Sequence, residues 1–382
     1  MTVTITEPAK TVYDLGLTSG QVEPDFDKLV AYDEFPKEVT GRTVWTKEQL
    51  QADDSLWQYR WTPELVAQLE EAYANFEATG EPLTAINKNT WKFPQGAYDF
   101  LHNLRDEIVN GRGVAVIKGL PVVEWGVEKS AAIYLGIGTV FGYTLSQNGK
   151  GHVLGHVKDL GNDPTQIDKV RIYSTAARQF FHSDASDIVG LLCLHRAKEG
   201  GESDIVSSHH LFNTLQKERP DVVKLLVAPD WYNDRKGEQN KGQDGWLRKA
   251  VYYYHDGKVL SHFDPYFVKS TGRFIDAGLI PAMTPAQQEA IQVLDDTAQR
   301  LALHTILEVG DIQLLADTHV FHARTAYTDY APPAPRRHLL RLWLSTPVSE
   351  GGWQRPFPDG DYLKRGGIQV DLQKETFPLD GE

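Results

Sequence analysis

The chain contains only one cysteine, Cys193, in 382 residues. A single cysteine excludes an intramolecular disulfide, and structural disulfides are typical of oxidising compartments. Cys193 stands in the apolar run 188–194, where we expect it to be a small buried hydrophobic side chain. The cysteine content therefore predicts an intracellular protein, with the reducing cytoplasm as its location.

Long apolar segments and an excess of positive charge are also missing. No segment approaches the roughly 18 apolar residues of a transmembrane helix, and residues 1–20 lack the pattern of a secretory signal. The 39 Lys and Arg residues are outnumbered by 52 Asp and Glu residues, giving a formal net charge of −13. Because an acidic surface repels phosphate backbones and anionic lipids, we expect no nucleic-acid partner and no membrane contact. An anionic ligand would need a local group of arginines.

Helical patterns dominate the first third of the chain, and strand patterns dominate the rest. After a polar N-terminal arm, apolar periodicity predicts helices that begin near Pro63, Gly96 and Val127. Beyond Gly142, short apolar segments alternate with turns, as in an antiparallel barrel or sandwich. The tail, residues 348–382, is rich in Gly, Pro and charge, and we expect it to be loop-like.

Local signals mark several element ends. Thr62 and Thr284 are predicted N-caps, the latter with Gln287 in a capping box, and Ser208 is a predicted N-cap of a helix that follows it. The pair Asp256-Gly257 predicts a two-residue turn in a hairpin that spans 251–264. That hairpin would carry His262 and Asp264 on its second strand.

The stretch His182-Ser183-Asp184 places an imidazole and a carboxylate two residues apart. Alternate side chains of an extended strand share a face, so His182 and Asp184 can converge while Ser183 turns away. Together they suit a divalent first-row ion such as Fe(II). The spacing is common by chance, however, and His262-Phe263-Asp264 is a second copy. Either copy alone more often marks a structural histidine than a metal ligand.

Two later stretches distinguish the copies. The segment 317–324 contains His319 and His322, and either would complete a facial set of two histidines and one carboxylate. Strand alternation over 337–344 places Arg337, Leu339, Arg341 and Trp343 on one face. Two guanidinium groups on one face of an apolar strand are costly to bury without anionic partners, and a dicarboxylate cosubstrate would supply one through bidentate pairing.

The order of these segments resembles a known signature. His182-Ser183-Asp184, Gly200-Gly201-Glu202-Ser203, His322-Ala323-Arg324 and the arginine strand 337–341 are similar to the taurine dioxygenase/TfdA family of Fe(II)- and 2-oxoglutarate-dependent oxygenases, which includes clavaminate synthase-like enzymes. The resemblance covers roughly residues 113–347 and leaves the arm, the first two helices and the tail outside. Its ordered combination is more specific than any single motif.

The resemblance implies a role for each matching residue. The iron ligands would be His182, Asp184 and His322, because the family pattern places the second histidine two residues before an arginine. Arg337 would bind the distal carboxylate of 2-oxoglutarate with help from Ser203, and Arg341 would lie near both cosubstrate and substrate. This assignment leaves His319 with a structural role. Because Asp184 is retained, where a family halogenase lacks the carboxylate, hydroxylation is the default oxidation, with desaturation and ring formation as open alternatives.

Two further residues are predicted to contact substrate. Asn148 precedes the metal strand in a polar segment that could equally be a turn, and Trp231 begins an aromatic and charged segment that could form a lid. Arginines at the site favour a small anionic or zwitterionic substrate, with dioxygen as cosubstrate. Homo-oligomer formation is also expected, because relatives commonly form dimers or tetramers.

The predicted fold class is α+β, a double-stranded β-helix (jelly roll) with flanking helices. We expect residues 1–382 to form one catalytic domain, with 1–112 as arm and helices, 113–347 as the oxygenase core and 348–382 as the tail. The competing predictions are a JmjC-like or cupin-type metalloprotein and a non-catalytic small-molecule binding protein. Arg337 argues against the first, since such proteins usually hold the cosubstrate with lysine or lack that clamp.

Overall fold

Two main β-sheets face each other, and helices cover their outer sides. They are seen in a computed structural model that describes residues 22–370 and 374–380. The beginning of the predicted arm, residues 1–21, lies outside the described residues, as do 371–373 and 381–382. The predicted mixture of helices and sheets is confirmed.

The described α-helices are α1 Lys47–Ala52, α2 Pro63–Glu77, α3 Gln95–Val109, α4 Val122–Phe141, α5 Ser208–Glu218, α6 Pro220–Val227, α7 Pro265–Lys269, α8 Gly272–Asp276 and α9 Pro285–Leu301. The described strands are β1 Gln58–Arg60, β2 Val114–Lys118, β3 Tyr143–Thr144, β4 Gly155–Val157, β5 Gln179–His182, β6 Ile188–His195, β7 Glu199–Gly200, β8 Ser203–Ser207, β9 Trp231–Asp234, β10 Trp246–Lys249, β11 Tyr252–His255, β12 Lys258–Ser261, β13 Leu303–Thr305, β14 Ile312–Ala316, β15 Val320–Arg324, β16 Tyr327–Thr328 and β17 His338–Ser345. Within these ranges, no helix combines the length and apolarity needed to cross a membrane.

The larger sheet has seven strands, in the order β1-β2-β14-β6-β17-β3, with β4 also paired to β17. Its strands alternate between two buried layers. Leu340, Leu342 and Leu344 of β17 join a core cluster under helices α2, α3 and α4. Leu339 and Trp343 face the other sheet, in a layer that also contains Cys193. The predicted alternation of β17 and the predicted burial of Cys193 are both confirmed.

The smaller sheet has four strands, in the order β13-β8-β15-β5. Its outer side packs against α5, α6 and α9 through Val206, Phe321 and their neighbours. Its inner side contributes Ile205, Leu303 and Val320 to the layer between the sheets. Strand β5, which ends at His182, is therefore an edge strand beside the space between the two sheets.

Most of the predicted element ends are confirmed. The hydroxyls of Thr62 and Thr284 accept hydrogen bonds from Leu65 and Gln287 backbone N–H groups, and Gln287 completes its capping box. Asp256 and Gly257 have φ values of 47° and 72°, which suit the predicted tight turn between β11 and β12.

Two local predictions are wrong. Ser207, and not Ser208, caps α5, since the Ser207 hydroxyl accepts from His210 N–H while Ser208 is already helical. Strand β12 ends at Ser261, so His262 and Asp264 are not on the second strand of the hairpin. Pro265 starts α7 directly afterwards, and the Asp264 carboxylate caps that helix by accepting from Tyr266 N–H at 2.8 Å.

Candidate metal centre and substrate cavity

Strand pairing brings two distant histidines together at the sheet edge. Strand β15 pairs antiparallel with β5 and places His322 directly opposite His182. Asp184 lies in the turn that follows β5, two residues after His182. All three residues are buried, with 7% exposure or less. The predicted combination of these three residues therefore comes together in space.

The ligand atoms of this group converge on one point. Asp184 Oδ1 lies 4.0 Å from His182 Nε2, and Asp184 Oδ2 lies 3.9 Å from His322 Nε2. One ligand atom from each residue lies within 4.8 Å of the others, and no other group of three such residues meets that criterion in the described part of the chain. Two imidazoles and one carboxylate on one side of a point form a facial donor set with open positions.

The protonation states of His322 and Asp184 suit a divalent cation. Burial, followed by the neighbouring His182, lowers the pKa of His322 to about 3, so its imidazole is neutral and can donate a lone pair. Burial alone would raise the pKa of Asp184, but Arg341 and the two histidines hold it below its ordinary value. Asp184 Oδ2 is buried with no hydrogen-bond partner among the described residues. A cation would satisfy that oxygen, so the residues fit a bound metal.

Neighbouring groups hold the metal-site side chains in place. His182 Nδ1 lies 2.8 Å from the carbonyl of Phe180, which fixes the proton on Nδ1 and leaves Nε2 facing the centre. The Gln179 amide lies 2.9 Å from that same Nε2. Asp317 accepts hydrogen bonds from the Asp184 backbone N–H at 2.8 Å and from the Ser186 hydroxyl. Asp317 is not among the predicted site residues, because its only signal in the sequence is its place after strand β14.

A cavity lined by guanidinium groups opens beside the two histidines. It is lined by His182 and His322 together with Ser203, Arg337 and Arg341. Arg337 Nη2 donates to the carbonyl of Gly201 at 3.2 Å, whereas its buried Nη1 has no partner among the described residues. A carboxylate in this cavity would pair with that guanidinium, as the sequence analysis predicted for 2-oxoglutarate.

The Gly-Gly turn allows Arg337 to reach this position. Gly201 has φ 76°, and a Cβ atom there would approach Arg337 Nε to 2.7 Å. Ser203, two residues later, donates its hydroxyl to Gln313 Oε1 at 2.9 Å and lines the same cavity. Gln313 is a buried neighbour that the sequence analysis missed, because polar residues inside an apolar strand give no signal of what they contact.

Arg341 lies beside the metal centre. It lines both the cavity that contains Ser203 and Arg337 and another cavity next to Asp184. Its Nε donates to Gln147 Oε1 at 2.7 Å, and its Nη1 lies 3.4 Å from Asp184 Oδ1. The guanidinium carbon lies 4.8 Å from the ring centres of both Tyr173 and Trp343. These contacts fix the guanidinium between the predicted cosubstrate and substrate positions.

The cavity next to Asp184 is bounded by several elements. Its charged and polar walls include Gln147, Arg171, Asp184, Asn233, Asp234, Arg235, Lys249, His262, Asp264 and Arg341. Tyr173, Leu247, Trp343 and Ile368 supply apolar walls. Ile368 belongs to the tail, which packs on the metal-site turn through an ion pair between Arg365 and Asp187 at 2.8 Å. We refer to this space as the substrate cavity.

The structure does not bring the two predicted substrate contacts to this cavity. Asn148 lines an outer vestibule, where its carboxamide oxygen accepts from Lys150 and His152 N–H groups in a turn. Its neighbour Gln147 lines the substrate cavity instead. Trp231 is 1% exposed and donates its indole N–H to the Leu225 carbonyl in the helix-side core. Asn233, Asp234 and Arg235, which follow Trp231 by two to four positions, line the cavity instead.

His319 and Arg336 have partners outside the metal centre. His319 is fully buried and stacks on Trp353 with ring centres 4.7 Å apart. Its ring packs so close to Gly113 that a Cβ atom at that glycine would clash with it. Its predicted structural role agrees with this packing. Arg336 is exposed and pairs with Asp159 and Asp329.

Residues 79–343 match the family described as taurine catabolism dioxygenase TauD, TfdA family. The chain belongs to this family. Membership confirms the predicted enzyme class, a non-haem iron, 2-oxoglutarate-dependent dioxygenase, and favours it over the competing predictions. The match begins earlier than expected, because it includes α3, which the sequence analysis left outside the resemblance.

Two relatives are similar over most of the chain. FR-33289 synthase of Streptomyces rubellomurinus is 31% identical over 341 residues, which cover 87% of this chain and 96% of the relative. Taurine hydroxylase-like protein SAT17 of Stachybotrys chartarum is 28% identical, over 82% of this chain and 80% of the relative. The similarity therefore extends beyond the metal-site motifs.

Solved structures of similar fold include two oxygenases. An asparagine oxygenase in complex with Fe(II), 2S,3S-3-hydroxyasparagine and succinate superposes with a TM-score of 0.57 at 16% identity, covering 80% of this chain and 98% of the other. The non-heme iron oxygenase OrfP, in complex with Fe, succinate and (3S)-hydroxy-L-Arg, gives a TM-score of 0.55 at 15% identity, with 80% and 99% coverage. At these identities the likeness shows a shared fold.

Proposed function

We propose that this dioxygenase hydroxylates a small anionic or zwitterionic molecule in the substrate cavity. In this proposal His182, Asp184 and His322 hold Fe(II), and Arg337 with Ser203 holds the distal carboxylate of 2-oxoglutarate. The observation that carries it is the convergence of the three ligand atoms within 4.8 Å of one another. That point lies between a cavity lined by Arg337 and a cavity suited to substrate.

Each part of the chain has a defined task in this proposal. Fe(II) with 2-oxoglutarate and dioxygen supplies an oxidant for a C–H bond and yields succinate and CO2. Arg337 orients the cosubstrate through its guanidinium, and Tyr327, whose ring centre lies 5.0 Å away, limits the movement of that guanidinium. Arg341 separates the two bound molecules while contacting Asp184. The apolar walls Tyr173, Trp343 and Ile368 exclude water from the reacting carbon.

The relatives support the hydroxylation of a small polar molecule. The asparagine oxygenase and OrfP structures contain hydroxylated amino acids together with succinate. The substrate cavity here is lined by four cationic side chains, Arg171, Arg235, Lys249 and Arg341. Such walls favour a molecule that carries at least one acidic group.

We also propose that the two facing sheets form a double-stranded β-helix and that residues 1–382 act as one catalytic domain. Support comes from the apolar layer between the sheets, to which both contribute, and from the tail residue Ile368 in the cavity wall. Homo-oligomer formation and a cytoplasmic location stay predictions.

Anaerobic titration tests the metal and cosubstrate assignments. Addition of Fe(II) and 2-oxoglutarate to the wild type should produce the weak visible charge-transfer band of the chelate. The band should be lost in His182→Ala and should weaken at a given 2-oxoglutarate concentration in Arg337→Met. A control variant, His319→Gln, removes a buried histidine outside the centre and should retain the band. A wild type without the band, or a His182→Ala variant that keeps it, would contradict the proposal.

A further inference from the structure

The C-terminal tail packs against the turn that carries Asp184. We call residues 184–187 the metal-site turn and residues 365–368 the tail anchor. Within the anchor, Gly367 N–H donates to the Ala185 carbonyl at 2.6 Å. Ala185 directly follows Asp184 in the chain. The tail therefore bonds to the backbone at the residue next to a proposed metal ligand.

Arg365 holds the other end of the metal-site turn. Its side chain is 0% exposed, and its Nε donates to Asp187 Oδ2 at 2.8 Å. Its two other nitrogens donate to the carbonyls of Gly360, at 3.0 Å, and Thr346, at 2.8 Å. The N–H of Thr346 also donates to Asp187 Oδ2, at 2.7 Å. Because each guanidinium nitrogen has an acceptor, the planar group has one defined position.

The charges around Asp187 are balanced by the tail. Arg355 Nη1 lies 3.5 Å from Asp187 Oδ1, and Arg355 Nη2 lies 3.6 Å from Asp359 Oδ2. With Arg365, two guanidinium groups thus meet two carboxylates, and all four residues are 6% exposed or less. Removing one partner from a buried ion pair leaves an uncompensated charge, which is strongly unfavourable. Asp187 therefore depends on the tail for its place in the metal-site turn.

Short contacts connect the held turn to the carboxylate of the metal centre. Asp317 N–H donates to the Asp187 carbonyl at 3.0 Å, and the Asp317 carboxylate accepts from Asp184 N–H at 2.8 Å. The tail holds Ala185 and Asp187, while Asp317 holds Asp184 itself. Groups that orient a metal ligand in this way set the affinity of the site.

Gly366 shows how closely the tail fits the turn. It has φ 87°, and a Cβ atom there would approach the Ala185 carbonyl oxygen to 2.6 Å. Gly351, in the same tail, has φ 86°, and beyond its chain neighbours no heavy atom of the described residues lies within 4 Å of its Cβ position. The two glycines share a backbone conformation, but only Gly366 presses on the metal-site turn.

We propose that the tail anchor positions the Asp184 carboxylate for metal binding, so that the C-terminal tail is part of the metal centre. This inference rests on the proposed function, because it concerns the same Fe(II) site. Arg365 and Gly366 are positioning residues that act through Asp187 and Ala185. The anchor lies beyond residue 343, where the family match ends, so the family motifs do not include it.

The two glycines provide a matched pair of variants. Gly366→Ala and Gly351→Ala each place a side chain at the same positive φ, so the backbone strain should lower stability to a similar degree in urea unfolding. Only Gly366→Ala adds an atom that pushes on Ala185. Its Fe(II) affinity, measured by competition with a metal chelator, should weaken by about tenfold or more. Gly351→Ala should bind Fe(II) as the wild type does.

The ion pair of the anchor gives a second set of variants. Arg365→Met removes the cation that pairs with Asp187 and should also weaken Fe(II) binding by about tenfold or more. Arg365→Lys keeps a cation at this position and should restore part of the affinity. Lys364→Met is the control, because the Lys364 ammonium pairs with Glu375 inside the tail, and it should leave Fe(II) affinity unchanged.

Hydrogen exchange of the wild type gives a measurement that needs no variant. Coupling between two sites is reciprocal, so a tail that supports Fe(II) binding must itself be stabilised by bound Fe(II). Anaerobic addition of Fe(II) should slow exchange of the Gly367 and Ile368 amides, which donate to the Ala185 and Ser146 carbonyls. The Thr376 amide of the same tail donates elsewhere, to Gly151, and its exchange should not change.

The exchange result decides the question even if Gly366→Ala or Arg365→Met does not fold. Equal Fe(II) affinity in Gly366→Ala and Gly351→Ala, or a Gly367 amide that does not respond to Fe(II), would overturn the inference. The proposed function would still stand if the wild type gives the charge-transfer band. A wild type without the band would count against the proposed function itself and, with it, against this role of the tail.

Discussion

The segments His182-Ser183-Asp184 and His262-Phe263-Asp264 run side by side at the substrate cavity. Ser183 N–H donates to the Phe263 carbonyl at 2.8 Å, and Phe263 N–H donates to the Ser183 hydroxyl at 2.9 Å. In the first segment the two outer side chains converge with His322. In the second, the histidine contacts Lys249 and the aspartate caps α7.

The difference shows that neighbours, and not spacing, select the metal site. Strand β15 lies against β5 and places a third donor opposite His182. The second segment leaves its strand at Ser261, and Pro265 begins a helix, so its side chains do not follow strand alternation. Its histidine also faces a lysine, which repels a metal cation. Identical spacing thus leads to a metal centre in one place and a basic wall in the other.

Replacing the two aspartates should give the largest difference between the segments. Asp184→Ala removes a carboxylate donor and should weaken Fe(II) binding by more than about 100-fold in chloride-free buffer. Asp264→Ala should leave Fe(II) affinity within a few-fold, but it removes a helix cap and should lower the free energy of unfolding by about 1 kcal/mol. Competition with a metal chelator and urea unfolding measure the two quantities.

The opposite pattern would reverse the assignment of the segments. Strong loss of Fe(II) affinity in Asp264→Ala together with normal affinity in Asp184→Ala would place the metal at the second copy. The double variant should combine the two losses, because the carboxylates act on different properties.

Removing the link between the segments should have the next largest effect. Ser183→Ala deletes the hydroxyl that accepts from Phe263 N–H and leaves a buried donor unsatisfied. We expect the free energy of unfolding to fall by about 1–3 kcal/mol, measured by urea unfolding. The control Ser55→Ala, at an exposed position, should change it by less than about 0.5 kcal/mol. An unchanged stability in Ser183→Ala would mean that the two segments are held together by other contacts.

The sequence predicts those parts of the site that depend on local patterns and on motif order. Alternation along β17 places Arg337 and Arg341 on one face, and both line the cavity that contains the two histidines. The caps at Thr62 and Thr284 follow from side chains next to the helices that they begin. These features need only neighbours in the chain, so residue types reveal them.

Contacts between distant segments could not be predicted in this way. Asp317 holds the Asp184 turn across 133 positions, and Arg365 reaches Asp187 across 178 positions. We expect a loop-like tail, and its described residues contain little regular structure, but the buried Arg365 anchors it beside the metal centre. Side chains with ordinary local surroundings give no signal of such pairings before the fold is known.

A substitution in the turn before the second segment should have the smallest effect on the free energy of unfolding. Gly257 has φ 72° with open space around its Cβ position, so Gly257→Ala meets backbone strain without a steric clash. We expect the free energy of unfolding to fall by about 1 kcal/mol, and Fe(II) affinity to stay unchanged because the hairpin ends before the metal centre. Gly272→Ala, a control at a helix start without positive φ or close neighbours, should not lose stability. A loss of Fe(II) affinity in Gly257→Ala would show that the hairpin supports the metal centre through Phe263, which follows it and contacts Ser183, and the two segments would then form one cooperative unit.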